Sequence, residues 1–311
     1  MDKNRSKATV SLDLDNQWAY LRTHGDNSWQ SFPSFLETAG PRILEFFEQH
    51  EIKPTIFVVG RDLESDTNLR VVKRFVEAGF EIGNHTYNHR SDFHGLDDTL
   101  LSQEVLACEN VVAKKTGGKP VGFRGPSFQV SDKIAEVLIK AGYRYDASSY
   151  PTSIAPLLRL YHFFHSQLTP EEKKSQQNLF GGFASAFSTL DRHSWQVKEN
   201  SIIEIPVTTM PFLRLPIHLT YLNYLADRSP RLGMAYFKTS MWLMPIAKVT
   251  PSFLLHATDF LGSDDSPIPH FLPGMKRPFA EKLNFLNDVF AVINRRYQLL
   301  GLDSYLSASE V

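Results

Sequence analysis

One cysteine, Cys108, stands in 311 residues. No internal disulfide can form, so stability has to come from a packed core. A net charge of −1 gives no electrostatic reason to bind nucleic acid, and no nucleic-acid partner is expected. No apolar run approaches the roughly 18 residues of a membrane span. The polar start, Met1-Asp2-Lys3-Asn4-Arg5-Ser6-Lys7, lacks the apolar stretch of a secretory signal, and a cytoplasmic protein is the expectation. Internal repeats, low-complexity runs and obvious linkers are also missing. What is present is a chain that is 42% hydrophobic, enough for a large core. Cys108 falls in register with Leu101, Val105 and Val112 on a helical pattern and reads as a small core residue.

The stretch around which the chain is organised is Gly83-Asn84-His85-Thr86-Tyr87-Asn88-His89. Two histidines four apart follow an apolar run, Phe80-Glu81-Ile82, that reads as a strand. One helical turn after that strand would aim both imidazoles at one point. Neutral imidazole is the commonest metal ligand, and two converging rings suit zinc or a similar divalent ion. Upstream, residues 9–15 alternate Val10, Leu12 and Leu14 with Ser11, Asp13 and Asp15. Period two places both aspartates on the face opposite the leucines. Two carboxylates side by side repel each other, and a cation beside them removes the difficulty.

The rest of the chain supplies five more strand signals. Residues 54–60 form an apolar run ended by Gly60. Val121-Gly122-Phe123 leads to Arg124-Gly125-Pro126-Ser127, and residues 143–146 end in Asp146. Residues 201–206 and Ser252-Phe253-Leu254-Leu255-His256 complete seven candidate strands. Between them lie helical patterns: one opened by Pro41, one with Asp66 as cap and Gly79 after it, one capped by Asp97 or Asp98, one capped by Ser131, and a last one from Arg277 or Pro278 to Tyr297. Residues 16–40, with Trp18, His24, Trp29 and Phe32, read as a long lid or substrate-side loop. Residues 152–200 read as an insertion containing Gly181-Gly182. Residues 210–250, rich in Leu, Met, Tyr and Pro, read as two interrupted helices. Strands alternating with helices imply parallel pairing in an α/β fold. Asp13 and Asp15, His85, Arg124, Asp146 and His256 all sit at C-terminal strand ends, where β/α barrels gather their catalytic groups. A single domain over residues 1–311 is the expectation.

These segments, in this order, resemble the polysaccharide deacetylase family, also called the NodB-homology family or carbohydrate esterase family four. The matching motifs are Asp13-Leu14-Asp15, His85-Thr86-Tyr87-Asn88-His89, Arg124-Gly125-Pro126, a fourth segment beginning at Asp146, and Leu254-Leu255-His256. The resemblance covers residues 8–150 and, in part, 201–260. It implies a distorted (β/α)7-type barrel with parallel strands, and a metal-dependent hydrolase that removes an acetyl or formyl group from the nitrogen of an amino sugar or glycoconjugate. It implies Asp15, His85 and His89 as metal ligands for one divalent ion, zinc first, with cobalt, manganese and nickel as alternatives. Asp13 becomes the general base, paired with Arg124; His256 becomes the general acid, and Asp146 orients it. A backbone donor near Ser127 completes the site. His24, His94 and Asp259 stand near these segments and are read as structural.

Some residues depart from the family pattern. Leu14 separates the aspartates, as in the subgroup that includes allantoinase-like enzymes and lipid-linked aminoarabinose deformylases. Ser127 stands where many members carry an aromatic residue, and the fourth segment lacks a tryptophan-rich wall. Both argue against a long polysaccharide as substrate. A carbohydrate or small amide is expected, with an allantoinase-like amide hydrolase and a non-catalytic, metal-containing sugar-binding domain as the alternatives. Residues 212–248 combine aromatics with Arg214, Arg228, Arg231, Lys238 and Lys248, and residues 157–164 are apolar without an acid. These two stretches suggest peripheral contact at the inner face of the membrane. Packing of the same stretches within the barrel, or a homo-oligomer face, is the competing expectation.

Overall fold

The computed structural model describes residues 5–181, 186–265, 269 and 271–309. Met1 to Asn4 of the polar start and Gly182 of the glycine pair lie outside the described residues. Nine strands form one sheet: β1 Ser6–Asp13, β2 Thr55–Val58, β3 Glu81–Asn84, β4 Gly122–Phe123, β5 Tyr145–Asp146, β6 His193–Val197, β7 Asn200–Glu204, β8 Ser252–His256 and β9 Tyr297–Leu300. Seven of them, in the order β7-β5-β4-β3-β2-β1-β8, pair in parallel. The two ends of this series meet through single bonds. Thr208 N–H donates to Ser252 O at 3.1 Å, and Ser252 N–H donates to the Thr208 hydroxyl at 2.5 Å. This is the distorted (β/α)7 barrel, and its seven parallel strands are the seven read from the sequence.

The alternation in β1 explains how the barrel is filled. Val10, Leu12 and Leu14 are buried in the largest apolar cluster, with Ile43, Phe47, Val72, Phe75 and Phe290 of the surrounding helices. Each such side chain contributes about 1.5–3 kcal/mol relative to exposure. Ser11 and Asp13 face the other way and meet Arg124 from β4. Gly83 on β3 makes room for the ring of Phe57, since a Cβ there would come within 2.5 Å of it. That ring in turn lies 4.4 Å under the Arg124 guanidinium.

Several local expectations are corrected. Residues 16–40 are not a loop: they hold the helix Gln17–His24, a 3-10 turn Asn27–Ser31 and the start of the helix Leu36–Gln49. The Asn16 side chain caps the first of these, and Trp18, Ala19 and Leu21 are buried. Pro41 lies inside the helix it was expected to open. Ser65, not Asp66, caps the next helix. The insertion at 152–200 is ordered into the helices Ala155–His165 and Pro170–Ser175 and strand β6, which pairs antiparallel with β7. The final helix, Phe279–Asn294, is followed by β9, which adds to the start of β1. The two interrupted helices expected in 210–250 are Leu219–Ala226 and Pro230–Ala247. Among the described residues no helix is long and apolar enough to cross a membrane.

Candidate metal centre and acid–base site

The histidines converge, but not on a helical turn. After β3 the chain enters a loop in which Thr86 and His89 adopt left-handed backbone angles, with φ of 61° and 46°. A β-branched residue adopts such a conformation only where its surroundings impose it. Here the Asn84 side chain accepts the Thr86 N–H at 2.8 Å. The Thr86 hydroxyl then accepts the His89 N–H at 3.1 Å. Asn84 is itself held, donating to Val105 O at 2.9 Å and to the Tyr143 hydroxyl at 2.6 Å. The loop thereby reaches the geometry that a helix would have supplied.

Asp15, two residues beyond Asp13 at the end of β1, completes a buried cluster. Its Oδ1 lies 3.1 Å from Nε2 of His85 and 3.1 Å from Nε2 of His89, and one ligand atom from each residue lies within 4.8 Å of the others. These contacts are close without being aligned as hydrogen bonds. Asp15 Oδ1 and both ring nitrogens of His89 are buried without a hydrogen-bond partner. Nδ1 of His85 lies 2.7 Å from the Arg124 carbonyl, and a carbonyl can only accept. The proton therefore sits on Nδ1, and Nε2 turns its lone pair toward Asp15. Two imidazoles and one carboxylate with orphaned lone pairs fit a divalent cation, with coordination positions left over. Burial alone would raise the Asp15 carboxyl, but His89 and His85 hold it well below the usual carboxylate range. Burial opposes the charge on His85, yet Asp13 and Asp15 raise its pKa. With Asp13 paired to Arg124, the Asp15 carboxylate is the charge left for a cation to meet.

Beside the cluster stands Asp13, also buried. Arg124 donates from Nη1 to Asp13 Oδ1 at 2.7 Å and to the Ser11 hydroxyl at 2.9 Å. Its Nε donates to Ala147 O at 2.8 Å. The guanidinium is fully buried and cannot swing away. One Asp13 oxygen is thus occupied. The other, Oδ2, lies 3.9 Å from Nε2 of His256. The sequence-derived residues Asp13, Asp15, His85, His89, Arg124 and His256 are therefore brought together at one mouth of the barrel.

Asp146 is a correction. It does not orient His256. Its Oδ1 accepts the Ser148 N–H at 3.1 Å and also the Ser148 hydroxyl, and that hydroxyl accepts the Gly125 N–H at 2.7 Å. Burial pushes the Asp146 carboxyl up to about 6. It also raises neighbouring Glu204 well above its usual value, with Asp146 adding to the effect. The pair braces the turn after Arg124. The partner of His256 Nδ1 is instead the Thr220 hydroxyl, at 2.9 Å. Thr220 also reaches Asp259 Oδ2 at 3.2 Å, and the same oxygen accepts the His256 N–H at 2.9 Å. Asp259 therefore belongs to the site, contrary to its structural reading. Its spacing of three from His256 was the available signal. Ser11 was legible as the inward neighbour of Asp13, whereas Thr220 carried no signal. His24 and His94 are turned elsewhere, His24 stacking on Phe271 at 3.8 Å and His94 facing Val130 O at 3.0 Å.

A buried Asp-His-His cluster that could hold a metal ion, with an arginine-held carboxylate beside it, stands at one mouth of a parallel barrel. The polysaccharide deacetylase family model matches residues 3–145, so that region is similar to this family. A Helicobacter pylori protein named peptidoglycan deacetylase is 30% identical over 151 residues, covering 47% of this chain and 50% of that protein. A Bacillus cereus peptidoglycan-N-acetylglucosamine deacetylase is 34% identical over 86 residues, 28% of this chain and 30% of the relative. The chain thus spans half or less of the length of these relatives. In fold, it is similar to a Mycobacterium smegmatis protein described as a polysaccharide deacetylase, at TM-score 0.63 and 15% identity, covering 100% of this chain and 93% of the other. It is also similar to Puue allantoinase, at TM-score 0.55 and 14% identity, covering 96% and 88%. At these identities both show the fold alone.

Proposed function

We propose that the protein is a metal-dependent hydrolase that removes an acetyl or formyl group from the nitrogen of an amino sugar or glycoconjugate. The observation that carries this reading is the position of Asp13. One of its oxygens is fixed by Arg124 and the other lies 3.9 Å from His256 Nε2, while its charge is felt by the ligand His85. A domain that only bound sugars would need neither a buried arginine–aspartate pair nor a histidine across from it. The peptidoglycan relatives support an N-acetylated amino sugar over a ureide.

Asp15, His85 and His89 would hold the ion, with zinc the best match to the ligand set. When bound, the ion polarises the amide carbonyl and orients the attacking water. Asp13 takes the proton of that water on Oδ2, while Arg124 keeps its charge in place. His256 delivers a proton from Nε2 to the departing amine, so that the C–N bond breaks with a neutral leaving group. The backbone N–H of Ser127, where φ is 51°, supplies a donor to the carbonyl oxygen as it gains charge.

The substrate is proposed to be held at a membrane surface. On the helix Ala155–His165, Leu157, Leu160, Tyr161 and Phe164 are exposed by 52–79%, and Phe212 and Leu213 by 66% and 61%. The helical residues follow the i, i+3, i+4, i+7 spacing of one face. Leu158, on the other side, packs against Phe128 and Tyr150 beside the site. Arg228 and Arg231 are exposed in the same region, and Arg228 lies 5.0 Å over the Tyr224 ring.

The deciding experiment loads the protein with zinc and follows acetate or formate released from N-acylated glucosamine saccharides. Asp13→Asn is expected to keep the metal and lose about 10²–10⁴-fold in turnover. His85→Ala and His89→Ala are expected to lose the metal while remaining folded. Metal retained in full by both histidine variants would remove the ligand assignment. Turnover unchanged in Asp13→Asn would remove the catalytic one.

A further inference from the structure

The histidine opposite Asp13 is aimed by a residue from a distant part of the chain. We infer that Thr220 and Asp259 form a relay that fixes the tautomer and orientation of His256; this rests on the reading of His256 as the acid. The direction of each bond is set by chemistry. Asp259 accepts the His256 backbone N–H at 2.9 Å on Oδ2 and the Asn223 side-chain amide at 2.9 Å on Oδ1, so both of its oxygens act as acceptors. Thr220 must then donate its hydroxyl proton to Asp259 Oδ2. Its remaining lone pairs can only accept, and the one facing His256 takes the Nδ1 proton. Nε2 is left on the side of Asp13, as the ring position that takes up and gives out a proton while Nδ1 keeps its own. A threonine hydroxyl between histidine and carboxylate fixes the tautomer as a direct carboxylate would, while keeping the negative charge one residue further away.

The relay is itself built in. Asn223, one turn along the helix Leu219–Ala226, is buried, and its carbonyl accepts from Arg277 Nη2 at 2.9 Å. Arg277 in turn pairs with Asp227 at 3.3 Å. Asp259 is buried at 1% exposure, and Lys282 donates to the neighbouring Thr258 carbonyl at 2.8 Å. The Leu219–Ala226 helix, read from the sequence as an apolar segment of barrel packing or membrane contact, therefore delivers one residue to the reaction site. Thr220 and Asp259 are positioning residues, since both act through His256.

The test is the tautomer of His256, read from long-range ¹H–¹⁵N correlations of the zinc-loaded protein labelled at histidine. The Nδ1-protonated form is expected in wild type and in Thr220→Ser, and a mixture of tautomers in Thr220→Val. If Thr220→Val lowers the yield of folded protein, Thr220→Ala and Asp259→Asn provide the same readout. Kinetics on N,N′-diacetylchitobiose give the second arm. Thr220→Val is expected to lower kcat about tenfold or more, a part of the ~10²–10⁴ that general acid–base catalysis supplies, with KM little changed and Thr220→Ser near wild type. A neutral His256 protonated at Nε2 alone in wild type, or a tautomer indifferent to Thr220→Val, overturns the relay. Full activity in His256→Ala would instead overturn the acid assignment while leaving the tautomer result standing.

Discussion

At the scale of single residues, the site is built by using up the alternatives of each side chain. Arg124 is the extreme case. It is buried, held at Nε and Nη1 and stacked on Phe57, so it presents a fixed charge to Asp13. Arg124→Met is expected to reduce turnover more than it reduces metal content, because it leaves the Asp13 carboxylate buried without its partner; metal analysis beside kinetics separates the two. A second buried carboxyl makes a statement about stability. Asp62 Oδ1 accepts from Asn16 Nδ2 at 2.7 Å, Trp18 Nε1 at 3.0 Å and Asn68 Nδ2 at 3.2 Å. Burial nonetheless raises its pKa from 3.8 to about 6, with Asp15 adding to the effect. The folded state thus holds the Asp62 proton more tightly than the unfolded chain. Its contribution is present at low pH and is lost as pH rises through about 4 to 6, by up to roughly 3 kcal/mol. Asp62→Asn keeps an Oδ1 for the three donors and cannot ionise. Denaturant unfolding of the metal-free protein should show the variant gaining on wild type between pH 4.5 and pH 7.5. A constant difference across that range would remove Asp62 as the cause.

At the scale of elements, the loop after β3 decides whether the histidines meet. Thr86 contributes no ligand, but its hydroxyl holds the His89 N–H and its left-handed backbone turns the chain. Thr86→Val keeps the shape, loses that acceptor and leaves a β-branched residue at φ of 61°. It is expected to weaken metal binding about 10–100-fold without abolishing it, the usual effect of losing a group that holds a ligand in place. Titration with a competing chelator measures this, and unchanged affinity would show that the loop is held by other contacts. This element also marks how far the sequence can be read. The four-residue spacing predicted convergence correctly, yet two local structures satisfy it. Only the Asn84 side chain, whose partner Tyr143 lies far along the chain, selects the loop. The helix Gln17–His24 was missed for a related reason. Its buried positions, Trp18, Ala19, Leu21 and His24, do not form a regular apolar stripe, and its start depends on Asn16 packing against Asp62 and Ser34. The partner of His256 was assigned to Asp146 on family pattern. The chain instead places Thr220 there, from a helix whose composition gave no hint of a catalytic role.

At the scale of the whole molecule, seven parallel strands were legible because each buries an apolar run and five of them lead to Asp13 and Asp15, His85, Arg124, Asp146 or His256. β6 and β9 were not, since β6 alternates exposed and buried residues as an antiparallel edge and β9 continues directly from a long helix. The outward face of the helix Ala155–His165 has the opposite problem. Its apolar stripe was visible in the sequence, but composition alone could not say whether it faces inward. The structure turns Leu157, Leu160, Tyr161 and Phe164 to solvent. Exposed Phe212 and Leu213 lie beside the start of this helix, where Ser153 donates to Leu213 O at 2.8 Å. Exposed Arg228 lies within electrostatic reach of Tyr161, with Arg231 exposed three residues further on. A bilayer with anionic headgroups would cover the apolar stripe and draw on the arginines, while a second copy of the chain would cover the stripe alone. The protein is expected to sediment with phosphatidylglycerol vesicles at low salt, and less as salt screens the headgroups. Leu160→Glu combined with Phe164→Glu should weaken that binding at least tenfold, since each apolar side chain withdrawn from water contributes up to about 1.5–3 kcal/mol. Both residues are exposed, so the melting temperature and the turnover of a water-soluble saccharide should stay as in wild type. A dimer in solution that the same double variant dissociates, with no vesicle binding, would assign the stripe to a subunit interface. A monomer that ignores vesicles at every salt concentration would remove the membrane from the proposal and leave the metal site to be explained by a freely diffusing substrate.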